Sequence, residues 1–168
     1  MSKIQIKQDI LSPEYIKTVK LNGYHPSELL KLVPSTLQEV LRIDAAGLFE
    51  DLVKWDVSED PVSFAGEWRA KDGKDKRTNV WATVIIEGEQ SKKDLSGKVT
   101  IVLRCQIETT LEYNNLFERG VLLLFDNLFY KNHRMAYIED ARKQMIVIED
   151  ALKRHFGAME REKSHEIS

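Results

Sequence analysis

"GKVTIVLRCQIETTLEYNN", residues 97–115, alternates over a longer span than any other part of the chain. Val99, Ile101, Leu103, Cys105, Ile107, Thr109, Leu111 and Tyr113 share one phase, whereas Thr100, Arg104, Gln106, Glu108, Thr110 and Glu112 fill the other. Only Val102 breaks the pattern. A period of two over this length predicts a strand with one face toward water and one against an apolar layer. The fold then depends on what supplies that layer.

Directly after Tyr113 the period changes to that of a helix. Asn115 stands as a cap with Glu118 three residues on, and an apolar stripe runs through Phe117, Val121, Leu124, Leu128, Met135, Ile138, Ala141, Met145, Ile148, Leu152 and Phe156. Gly157 is the expected end, and the chain from about residue 160 to 168 reads as a frayed tail. One straight helix from 115 to 157 would be roughly 64 Å long, against about 40 Å for a compact domain of this size. The helix must therefore bend or break, or protrude toward a partner. The polar gap at Lys131, Asn132 and His133 places the break between Tyr130 and Arg134.

Working back from residue 97, "LFEDLVKWDV", "VSFAGEWRA" and "NVWATVIIE" read as three further strands. Asp72-Gly73 falls in the link between the second and third of these, and Gly88 and Gly97 bracket the next link, which favours an antiparallel meander. In "NVWATVIIE", Trp81 and Ile85 occupy the outer phase, so that face is expected to be partly covered. "EYIKTVKLNG" gives a first strand closing on Asn22-Gly23. "HPSELLKLVPSTLQEVLRI" is helical, with Pro34 expected to divide it into two short helices and Ser35 to cap the second. The expected fold is α+β: one antiparallel sheet packed by a long C-terminal helix, with two short helices after the first strand, in a single domain spanning 1–168.

The 25 Lys and Arg against 27 Asp and Glu are mixed along the chain, which argues against a nucleic-acid partner. The longest apolar run, Val121 to Phe125, is too short for a membrane span. The start, MSKIQIKQDI, lacks a signal-peptide core, and the single Cys105 has no disulfide partner, so a cytoplasmic, reducing setting is expected. His25, His133, His155 and His165 show no metal-ligand spacing, and neither a metal nor a cofactor is expected. Cys105, in the apolar phase of its strand, reads as buried and inert. "KDGKDKRT" reads as a solvated hairpin loop. No paired carboxylates, triad or phosphate loop assembles into a catalytic motif, which leaves enzyme activity unassigned.

The order of elements, closing on "RGVLLLFDNLFYKNHRMAYIEDARKQMIVIEDALKRHFG", resembles the START-like helix-grip superfamily, which includes polyketide cyclase/dehydrase-like and birch-pollen-allergen-like proteins. That family has six strands after the helix pair, where four are placed here; the remaining two lie in "SEDPVSF" and "EGEQSKKDLSG", or the sheet is smaller. The resemblance implies a pocket for a small hydrophobic molecule between the long helix and the sheet. The residues in the inward phases name its walls: Trp68, Leu103, Cys105 and Ile107 from the sheet, and Tyr137, Ala141 and Met145 from the helix, with Trp55 and Phe64 also inward. The alternative function is a non-enzymatic homo-oligomeric or protein-interaction module using the apolar segment 121–130, which carries more apolar surface than one helix face needs.

Overall fold

The computed structural model describes residues 1–166, with side chains as far as residue 157. Its longest strand is β6 (Ser96–Tyr113), and every residue of the predicted inward phase from Val99 to Leu111 is buried, with Tyr113 half-buried. β5 (Thr78–Gln90) pairs along one edge of β6, followed by β4 (Val62–Gly73) and β3 (Leu48–Asp56), all antiparallel. The other edge of β6 is shared. β1 (Ser2–Asp9) pairs with its distal half, from Ser2 opposite Tyr113 to Asp9 opposite Gln106, and β2 (Lys17–Tyr24) with its proximal half, from Lys17 opposite Leu103 to Tyr24 opposite Ser96.

Four strands follow the helices, as the sequence places them, so the sheet is smaller than the six-strand pattern of the resemblance: neither "SEDPVSF" nor "EGEQSKKDLSG" supplies an extra strand, and the strand not foreseen is β1, which precedes the helices. Ser58–Pro61 are loop, and Glu87–Gln90 simply extend β5. Gly88 and Gly97 lie inside paired strands rather than in the turn, and Asp72-Gly73 closes β4.

Between β2 and β3 the two helical pieces are a 3-10 turn, Pro26–Glu28, and α1 (Leu29–Leu41). Their junction lies at residue 28, and Pro34 sits inside α1 instead of dividing it. An interior proline costs about 3 kcal/mol, but α1 buries Leu29, Val33, Leu37 and Leu41, each contributing about 1.5–3 kcal/mol. Tertiary burial outweighs the local penalty. Ser35 bonds back to the Leu32 carbonyl instead of capping a second helix.

Trp68 shows why Gly66 is glycine. A Cβ at Gly66 would stand 2.2 Å from the edge of the buried Trp68 indole and 2.9 Å from Leu30 of α1. Gly66→Ala is therefore expected to destabilise the protein by about 1–3 kcal/mol through overpacking. Gly120→Ala, where nothing lies within 4 Å, should be neutral or stabilising by up to about 1 kcal/mol. Urea denaturation of both variants checks the contrast, and equal midpoints would contradict the packing.

After β6 the chain is helical in three pieces: α2 (Leu116–Phe125), a π-turn (Asp126–Tyr130) and α3 (Lys131–Glu166). Asn115 accepts from the Glu118 N–H while Glu118 accepts from the Asn114 N–H, so the predicted cap forms. The expected break between Tyr130 and Arg134 does not open into coil. The irregularity is the π-turn one step earlier. Gly157 does not stop α3, because one glycine costs only about 1 kcal/mol in a helix. The tail expected from about residue 160 is helical to Glu166, and residues 167–168 lie outside the described residues.

Residues Ile138, Ala141, Met145, Ile148, Leu152 and Phe156 of α3 join α1 and the inward sheet residues in one buried core. The sheet is apolar on one face, and α1 and α3 cover that face. Trp55 departs from expectation: it faces the same way as Phe64, on which it stacks at 6.2 Å, but is 49% exposed because β3 is the sheet's edge. On the outer face Trp81 is partly covered, as its phase suggested, by Phe49 at 5.9 Å and by Arg69 and Lys71 over its ring.

Candidate functional site

The seven residues named as pocket walls come together on the inner side of the sheet. Trp68, Leu103, Cys105, Ile107, Ala141 and Met145 belong to the buried core, and Tyr137 packs against it. Leu103 and Met145 have a second role. β1 leaves β6 at Gln106 and β2 joins it at Leu103, so residues 10–16 loop away from the sheet between them. The loop is tethered by the Ile10 N–H to the Cys105 carbonyl at 2.9 Å and by Arg142 Nε to the Ile10 carbonyl at 3.1 Å.

Between this loop and α3 lies a notch of about 290 Å³, with Leu11, Leu103, Met145 and Ile146 giving it an apolar lining. Lys17, Arg142, Glu14 and Glu149 also line it. Glu149 is itself buried and bridges Lys17 and Lys153, both at 2.5 Å. Burial opposes its charge, but the bonds from Lys153 and Lys17 outweigh burial and hold its carboxyl below the ordinary glutamate range. The notch therefore combines an aliphatic lining with fixed charge. Glu14, Tyr15 and Ile16, read from their alternation as the start of a strand, belong instead to this loop, with Tyr15 and Ile16 exposed, because β1 takes the place beside β6 that they would have continued into.

A polar cluster that sequence reading missed lies where the β4–β5 hairpin meets the π-turn. Buried Thr78 and Thr109 hydroxyls pair at 3.1 Å, and Thr78 also bonds the Tyr130 hydroxyl. Tyr130 donates to Asp75, which accepts backbone N–H groups from Arg77 and Thr78. Lys74 reaches Asp72 at 2.6 Å with both side chains largely buried. "KDGKDKRT" is thus not simply a solvated loop: its acids and Lys74 fold against the helix.

Burial works against ionised Asp75, yet its hydrogen bonds, first that of Tyr130, keep its carboxyl below the usual range. Burial and the Asp75 bond push Tyr130 up to about 12. A donor that keeps its proton and an acceptor that stays ionised form a clasp between hairpin and helix, not an acid–base couple poised near neutrality. Burial likewise pushes the Cys105 thiol up to about 12, which suits a packing role and not a nucleophile.

The apolar stripe after β6 divides at the π-turn. Its C-terminal members from Ile138 onward are buried, whereas Phe117, Val121, Leu124 and Leu128 are 83%, 50%, 63% and 64% exposed, and no residue of α2 is buried. One extra residue in the π-turn changes which side faces the sheet. Asp126 and Arg134 point inward and form a two-pronged buried pair at 3.0 and 2.7 Å, while Leu128 and Phe129 point out.

Among the described residues no group of His, Cys, Asp and Glu is arranged to hold a metal ion, and no helix is long and apolar enough to cross a membrane. No protein-family model and no curated protein matches the chain. Two solved structures are similar to it over most of their length. One is a protein of unknown function, SA2116, from Staphylococcus aureus, at 11% identity, with 94% of this chain and 96% of that one covered and a TM-score of 0.31. The other is an uncharacterised protein from Rhizobium leguminosarum, at 7% identity, with 92% and 99% covered and a TM-score of 0.25.

Proposed function

We propose that the chain binds a small amphiphile in the notch between loop 10–16 and α3, as a member of the START-like helix-grip group acting in a cytoplasmic, reducing setting. The observation that carries this reading is the shared edge of β6. Because β1 and β2 pair with it end to end, the sheet opens where Leu103 and Met145 meet, which are two of the residues the sequence names as walls. An aliphatic segment of the ligand lies against Leu11, Leu103, Met145 and Ile146. Its polar head sits at the rim near Arg142, whose guanidinium has Nε committed to the Ile10 carbonyl and its other contact, to Glu139, at 3.6 Å. At about 290 Å³ the notch lies at the small end of ligand sites, which favours a short chain over a sterol or a full phospholipid.

Octanoate is the probe. At a hundredfold excess over its Kd a ligand adds about 2.7 kcal/mol to the folded state, which raises the Tm of a domain this size by several degrees. Ile146 is half exposed at the notch, so Ile146→Glu should leave the Tm of the free protein unchanged and remove the response to octanoate. A wild type whose Tm is indifferent to both octanoate and octanol would reject the proposal.

A further inference from the structure

We propose that two copies of the chain pair through the exposed stripe of α2, antiparallel, about a two-fold axis passing between Val121 and Leu124. Eight large apolar side chains between Leu116 and Phe129 are 40–83% exposed. Six of them, Phe117, Val121, Leu124, Phe125, Leu128 and Phe129, lie on one side of the helix, and with large apolar side chains such as phenylalanine presenting about 150–250 Å² each they leave on the order of 700 Å² uncovered there. This exceeds the largest apolar patch of an ordinary monomer, about 300–600 Å², and approaches the roughly 800 Å² per partner of a standard interface.

The spacing of the stripe specifies the partner. Phe117, Val121, Leu124 and Leu128 are separated by four, three and four residues, the a/d spacing of a helix-pairing seam. That order reads the same in both directions, so a second copy run antiparallel presents an identical series. Phe117 then layers on Leu128 of the second copy, and Val121 on Leu124, an isologous contact that closes after two chains. In this register Lys131 of one copy falls opposite residue 114 of the other, about one helical turn from Glu118, so the flanking charges are complementary. The same stretch carries Glu118 beside Arg119 and no basic row, which is a poor match to an anionic membrane surface. Below the seam, the Tyr130 bonds to Asp75 and Thr78 tie the π-turn to the β4–β5 hairpin, and the Asp126–Arg134 pair braces the π-turn against the start of α3.

Sedimentation velocity on the full chain tests this. The wild type is expected to show a concentration-dependent monomer–dimer equilibrium. Val121→Glu with Leu124→Glu should weaken it roughly a hundredfold or more, since central apolar anchors dominate such interfaces, with the far-UV circular dichroism unchanged because both side chains are exposed. Should that variant lose helix, cross-linking decides. A mixture of Val121→Cys and Leu124→Cys proteins is expected to form the mixed disulfide in preference to either homodisulfide, and buried Cys105 stays out of the reaction. A wild type monomeric at every concentration overturns the proposal, and so does a dimer untouched by the double substitution. Preference for the Leu124→Cys homodisulfide, as parallel pairing would give, overturns it, as does a monomer that binds phosphatidylcholine–phosphatidylglycerol vesicles through α2.

Discussion

Ile107→Asp is expected to leave no cooperatively folded population, whereas Gln106→Ala, one residue away, should shift stability by less than about 0.5 kcal/mol, as surface substitutions do. Ile107 is fully buried in the core, opposite Val80 on β5, while Gln106 lies in the outward phase beside Trp81. An aspartate at 107 is taken out of water with no basic partner, and the effective penalty for a buried ion is several kcal/mol. Loss of the isoleucine packing adds about 2–5 kcal/mol. Together these approach or exceed the 5–15 kcal/mol by which domains are stable. Chemical denaturation followed by tryptophan fluorescence checks it. A sigmoidal unfolding transition in Ile107→Asp near the wild-type midpoint would contradict the inward assignment of the whole phase, because a one-residue slip in a strand turns every side chain to the other face.

Asp126→Ala is expected to cost about 3–5 kcal/mol, since removing one partner of a buried ion pair leaves the other charge uncompensated. Arg134 has only 9% of its side chain exposed, and both prongs of its guanidinium are bonded to Asp126. The loss should fall on the π-turn and α2, because the pair spans the π-turn from Asp126 to Arg134 at the start of α3, while Tyr130 ties the same turn to the β4–β5 hairpin. Amide hydrogen exchange should therefore lose protection in residues 116–130 while β4–β6 keep theirs. Replacing the pair together, as Asp126→Leu with Arg134→Met, removes both charges and should recover most of the stability, as apolar replacements of buried pairs commonly do. Unchanged exchange in Asp126→Ala would mean that the pair contributes nothing to the anchoring.

Much of this architecture is written locally in the chain. The alternation of β6 predicts its burial residue by residue from Val99 to Leu111, because a strand's side-chain period of two needs no knowledge of the partner. The Asn115–Glu118 cap and the core-facing stripe from Ile138 to Phe156 are legible for the same reason: capping and helical periodicity act within a few residues. Cys105 as a buried thiol follows from its phase. Trp68, Leu103, Ile107, Ala141 and Met145 were placed together correctly by facing the two apolar layers toward each other.

What the tertiary structure decided involves partners distant in sequence. "SKIQIKQD" alternates only through Ile4 and Ile6, and it becomes β1 by pairing with residues 106–113 at the far end of the chain. Pro34 reads as a helix end until the burial of Leu29, Val33, Leu37 and Leu41 is weighed against it. The hairpin acids of "KDGKDKRT" look solvated until Tyr130 arrives from the helix. The stripe of α2 shows the same limit from the other side. Periodicity states that Phe117, Val121, Leu124 and Leu128 share a face, but only the fold shows that, among the described residues, no part of the same chain covers it. The π-turn, set by a buried Asp126–Arg134 pair, turns Leu128 away from the sheet. The sequence alone therefore determined which residues face together, because that is a property of local backbone geometry. Only the folded chain decided which faces meet each other and which meet water, because that depends on contacts between segments more than a hundred residues apart.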